Sequence, residues 1–174
     1  MAHGPELDES SCVVVLDKIR CRSGIQKYVH FSAADRSQRL RDWLSVPVVV
    51  INLVLGSTFF VFVGREMPPE AKWIGAIAAL VAAVLGGIQT YFNLKKANDL
   101  HRSVANRYLA ISRECEVLIA QHRDGLVDLH KVSERLLPIN SEYQKVSKDA
   151  ESVPTTSADY ILGKEKFSAE ESFC

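Results

Sequence analysis

The sequence predicts an all-α protein: a two-transmembrane helical hairpin that continues into a cytoplasmic helical, coiled-coil bundle. Three observations predict it. Residues 44–63 and 73–92 are 20-residue segments without a single Asp, Glu, Lys or Arg. Only residues 64–72 separate them. Beyond the second segment, apolar residues recur at alternating spacings of three and four. Whole-chain averages conceal this pattern, because 47% apolar and 24% charged would suit an ordinary globular domain. All 21 basic and 21 acidic side chains lie outside the two segments. The formal net charge of +0 speaks against a global basic field, so no direct double-stranded nucleic-acid binding is expected.

The elements follow in chain order. Residues 1–10 are polar and read as a flexible N-terminus. Residues 11–43 read as a cytoplasmic N-terminal helix region, with Val13, Leu16, Ile19, Ile25, Tyr28, Leu40 and Trp43 giving a rough apolar face that Ser23-Gly24 interrupts. Its only apolar run, Val13 to Leu16, is too short for the core of a signal peptide. Residues 44–63 form the first transmembrane helix and residues 73–92 the second. At 1.5 Å per residue each is roughly 30 Å long, one hydrocarbon thickness. Pro47 is expected in the first turn of the first span, where a missing N–H costs least. Residues 64–72 make a tight extracytoplasmic loop, so both termini share one side.

Orientation follows from basic residues near the span ends. Arg36, Arg39 and Arg41 precede the first span, and Lys95, Lys96, Arg102 and Arg107 follow the second. The loop carries only Arg65 and Lys72. This bias places both termini in the cytoplasm and makes the lipid bilayer the first partner. Trp43, Trp73, Tyr91 and Phe92 sit at the span ends, where amphipathic rings favour the interface.

Both spans carry small and polar stripes. On the second, Gly75, Ala79, Ala82, Gly86, Gln89 and Thr90 fall within about 100° of one another on a helical wheel. Bulky residues, Leu85 among them, occupy the opposite half. On the first, Ser45, Asn52 and Gly56 lie together. Small residues let helix backbones approach closely in lipid. Packing within the hairpin and a subunit interface or pore lining both remain open for this face. Asn52 is either interhelical glue or a pore residue. With no acid, base or His inside either span, proton relays and voltage sensors lose their usual handle. Two helices cannot enclose a water-filled path, so conduction requires a homo-oligomer.

Residues 93–137 read as a cytoplasmic helical, coiled-coil region. Leu94, Ala97, His101, Val104, Tyr108, Ile111, Cys115, Leu118 and His122 make its heptad seam. Asp124-Gly125 marks a break, and Leu126 to Leu137 resumes the helix until Pro138 ends it. Residues 138–174 read as a C-terminal linker, a short helix over 157–167 that docks back on the bundle, and a tail. Cys12, Cys21, Cys115 and Cys174 form no paired framework, which suits reduced cytosolic thiols. No metal site, cofactor or catalytic residue is expected, since phosphate-loop, nucleophile-elbow and zinc-helix motifs are lacking.

The layout of soluble helix, two spans and long cytoplasmic helix resembles the SLATT domains, two-transmembrane effectors of prokaryotic conflict and anti-phage systems. The stretch Ala97-Asn-Asp-Leu-His101-Arg-Ser-Val-Ala-Asn-Arg-Tyr108-Leu-Ala-Ile-Ser-Arg113-Glu114 carries most of the resemblance, with Ile19 to Gly24 adding to it. It covers roughly residues 15–165. His101, Tyr108, Arg113 and Glu114 stand at the family-motif positions. The resemblance implies a pore-forming or membrane-disrupting effector in a bacterial inner membrane. It further implies control by a nucleotide second messenger or a nucleotidyltransferase-type partner system. Arg36, Arg39 and Arg41 would form a cytoplasmic basic ring in such an assembly. The alternative is a non-conducting membrane anchor or scaffold that recruits partners through its coiled coil.

Overall fold

Leucines, valines and helix-forming charged residues dominate the chain, and the only regular elements among the described residues are helices. The computed structural model describes residues 9–61, 66, 68–92 and 94–172, with side chains for 11–58, 61, 66, 68–88 and 95–172. Five helices follow: α1 Glu9–Val61, α2 Pro69–Phe92, α3 Leu94–Arg123, α4 Leu129–Glu151 and α5 Ser157–Ser172. The flexible N-terminus expected over 1–10 and most of the loop over 64–72 lie outside the described residues. So does residue 93, on which the expected run-on of the second span into α3 depends.

Two of these helices hold stretches long and apolar enough to cross a membrane by length and composition. Their most apolar windows have mean hydropathies of 1.4 in α1 and 1.9 in α2. The described residues divide into two compact units, one drawn from the chain up to Ala34 and from Asp99 onward, the other Asp35–Asn98.

The first unit has a core shared by three helices. From α1 come Leu16 and Ile19; from α3 come Val104, Tyr108, Ile111, Cys115 and Leu118; from α4 come Val132, Ile139 and Val146. The predicted α3 seam is therefore the face that α3 buries, and its partners are helices of the same chain. Burial pushes the Cys115 thiol up to about 12, helped by the Glu114 charge.

Three details differ from the expectations. α1 runs unbroken through Ser23-Gly24. Both residues are buried, and the Phe167 ring of α5 lies where a Cβ on Gly24 would be. The glycine here serves close packing, which offsets its weak helix propensity. Pro47 consequently lies inside α1 and not in a first turn. α4 passes straight through Pro138. A proline costs the helix one hydrogen bond, here to the Glu134 carbonyl. Pro138 and Glu134 are both exposed, where solvent can offset the loss of that bond. Val132, Leu136, Ile139, Tyr143, Val146 and Ala150 meanwhile hold α4 against the core at heptad spacing on either side of the proline.

Local chemistry sets the other boundaries. α3 stops where Gly125 takes φ 70°. Leu126 N–H then donates to Gln121 O at 2.9 Å and Gly125 N–H to His122 O at 3.0 Å, the bond pair of a Schellman ending. Asp128 caps α4 by accepting from Lys131 N–H at 3.0 Å. Thr156 and Asp159 exchange bonds across the start of α5, at 2.9 Å from Thr156 N–H and 3.3 Å from Asp159 N–H. Beyond this cap α5 docks on α1, and a Cβ at Gly163 would meet the Val29 backbone nitrogen at 2.7 Å.

Candidate functional site

Two sets of residues carry the functional expectations, one in each unit. In the unit Asp35–Asn98, the partly buried stripe of α1 runs through Ser45, Ile51, Leu55 and Thr58. That of α2 runs through Ala71, Gly75, Ala78, Ala82 and Gly86. The two helices meet where a Cβ on Gly75 would touch Leu55 Cδ2 at 3.8 Å. The predicted small stripe is thus divided. Gly75 and Ala82 belong to the side nearer α1, whereas Ala79 is exposed. A Cβ at Gly86 or at Gly56 would meet nothing within 4 Å among the described residues. Gln89 and Thr90 lie on α2, but their side chains fall outside the described residues.

Asn52 and Gly56 sit one turn apart on an exposed face of α1. The nearby hydroxyls behave differently. Ser57 Oγ donates to Leu53 O and Thr58 Oγ1 to Val54 O, both at 2.8 Å. Such bonds let hydroxyls sit in hydrocarbon without another helix. An asparagine amide, with two donors and an acceptor, demands more. Arg36 and Arg39 are exposed on α1 ahead of this stretch, and Arg41 binds Asp42 at 3.1 Å. On a helical wheel Arg36 and Arg39 share one side of α1 and Arg41 lies about 140–160° away, so one chain gathers no ring of arginines.

The family-motif positions fall in the other unit. His101 meets His30 of α1 with Nδ1 to Nδ1 at 3.1 Å, so one ring donates and the other accepts. His30 also stacks on Tyr108 with centroids 5.9 Å apart. Tyr108 in turn bonds Ser147 Oγ of α4 at 3.2 Å. This polar chain ties α1, α3 and α4 together inside the core. Burial lowers the His30 imidazole to about 4; the neighbouring His101 adds to the shift and Asp159 opposes it. Glu114 pairs with Arg135 of α4 at 3.4 Å, an exposed bridge of about 0–1 kcal/mol. Arg113 lines a cavity between α1, α3 and α5.

Sequence patterning missed His30 and Lys27. Both are buried on α1, but they are polar, and hydrophobic periodicity passes over polar core positions. The available signal was spacing: Lys27 lies seven residues after Arg20 and His30 eleven after Ile19, offsets that each keep a pair near one helix face. No family model, curated protein or solved structure matches this chain. The resemblance to the SLATT domains accordingly rests on the helical layout and on His101, Tyr108, Arg113 and Glu114.

Proposed function

We propose that the protein is a pore-forming membrane effector of the kind that prokaryotic anti-phage systems use to arrest an infected cell. In this reading α1 and α2 cross the inner membrane as a hairpin, both termini are cytoplasmic, and several copies share one conduction path. The observation that carries the reading is the exposed Asn52–Gly56 ridge. The apolar windows of α1 and α2 are 0% and 6% buried, unlike the core helices of a soluble bundle. In hydrocarbon, an exposed asparagine amide costs up to a few kcal/mol until another helix or a water column meets it. A second copy of the chain supplies either one, and Gly56 one turn away admits its backbone.

Induced expression with a membrane-potential dye tests this. Depolarisation and growth arrest are expected from the wild-type chain, and Asn52→Leu should abolish or alter both. Leu85→Ile should change neither. An Arg39→Glu change should shift ion preference toward cations, because it reverses charge at the pore mouth. If expression never depolarises the membrane, the protein is an anchor or scaffold and the pore reading fails.

A further inference from the structure

The cavity beside Arg113 measures about 300 Å³, the lower end of the range for small-molecule sites. Its walls combine two chemistries. Arg20, Lys27 and Arg113 bring three cations, and Tyr28, Phe31 and Phe167 bring three aromatic rings. Arginine and lysine recognise phosphate, and aromatic faces stack on flat rings.

One cation is built in, Arg20 is partly buried and Arg113 is exposed. The Lys27 side chain is only 8% exposed, and its ammonium lies 4.1 Å from the Tyr28 ring centroid. The countercharges are not built in to the same degree. Lys27 binds Glu170 at 2.8 Å, and Arg20 binds Glu171. Both carboxylates come from the last turn of α5, which carries no basic residue. Their side chains are 48% and 41% exposed. Acids at a helix C-terminus face the negative end of its dipole, which disfavours them by about 0.3–1 kcal/mol. These two glutamates are therefore poorly placed on their own helix and well placed only as partners for Lys27 and Arg20. Glu116 of α3 is the remaining carboxylate on the wall.

We propose that this cavity binds a phosphate ester carrying a flat aromatic ring, and that Glu170 and Glu171 occupy its cationic positions until that ligand displaces them. The phosphate takes Arg20, Lys27 and Arg113, and the ring lies against Tyr28, Phe31 and Phe167. Ligand binding frees the last turn of α5. The inference does not depend on conduction, because binding is measured without a pore.

The test is calorimetric titration of the full chain in detergent micelles with adenosine monophosphate, inorganic phosphate and adenosine. Adenosine monophosphate should bind at least tenfold more tightly than either part. The Glu170→Gln, Glu171→Gln double variant should tighten it about three- to tenfold, because the competing charges are gone. Arg113→Ala should weaken it about tenfold or more, the worth of one charge-assisted hydrogen bond. Arg113 and Glu170 are exposed, so far-UV circular dichroism should show unchanged helicity. Binding by the double variant alone would still support competition. Three results would overturn the proposal: no binding to either form, no tightening in the double variant, or phosphate binding as tightly as the nucleotide.

Discussion

At the residue scale, the buried His30–His101 pair governs how the folded unit responds to acid. The fold holds His30 neutral, since its imidazole is lowered to about 4 from an ordinary 6.5. An unfolded chain takes up that proton near pH 6.5, so its stabilising share is complete above that value. It is lost as pH falls from about 6.5 toward 4, and no further loss follows below. His101, Tyr108 and Asp159 are the titratable groups that surround it. Thermal melts of the full chain should show Tm falling across this window, and His30→Gln should flatten the fall. An equally steep fall in the variant would assign it to other groups. Half of this pair was legible beforehand. His101 sits on a seam that spacing alone reveals. His30 lies 71 residues away on a face interrupted by Ser23 and Lys27, and no local pattern joins the two.

At the element scale, two positions show packing overruling propensity. Helix rules place a stop at Pro138, yet a heptad of core residues continues on both sides of it. That seam was readable in the sequence and was hidden by giving the proline precedence. Pro138→Ala restores the missing backbone donor at an exposed site. Even after the added freedom of the unfolded chain, it should stabilise the fold by about 1–2 kcal/mol, seen as a raised Tm. Gly163 presents the opposite case. Its Cβ would run into the Val29 backbone at the α1–α5 crossing, so Gly163→Val should cost about 1–3 kcal/mol. Limited proteolysis should then release α5 before the remaining helices. A variant as resistant as wild type would mean that α5 docks elsewhere. The docking helix was anticipated through Phe167, five residues short of its end at Ser172.

At the scale of the whole molecule, the proposed pore needs a surface on which copies could meet. The α3 seam is occupied inside the chain, which removes it as the obvious surface for a second copy. The apolar helices are the surfaces on which the proposal then rests. A Cβ at Gly86 would meet nothing within 4 Å among the described residues, so Gly86→Leu should leave the fold intact. If copies pack there, the variant should run at a smaller mass than wild type in detergent by light scattering. Equal masses would exclude that face. Topology is checked separately: a reporter that is active only outside the cytoplasm should stay silent when fused after Cys174. The two apolar segments were plain from the sequence because charge is missing from both. Which small residues face inward was not, because a helical wheel orders side chains around an axis without saying where the neighbouring helix stands.

The graded depth of the thiols has a practical consequence. Alkylating reagents attack thiolates, and Cys115 is fully buried with its thiol pushed up to about 12, whereas Cys21 lies half-buried near the surface. Burial raises the Cys21 thiol too, but its partial exposure should let a maleimide label it before Cys115, which waits until the core between α1, α3 and α4 parts. The delay between the two is a stopwatch for that breathing motion, readable by mass spectrometry at a single residue.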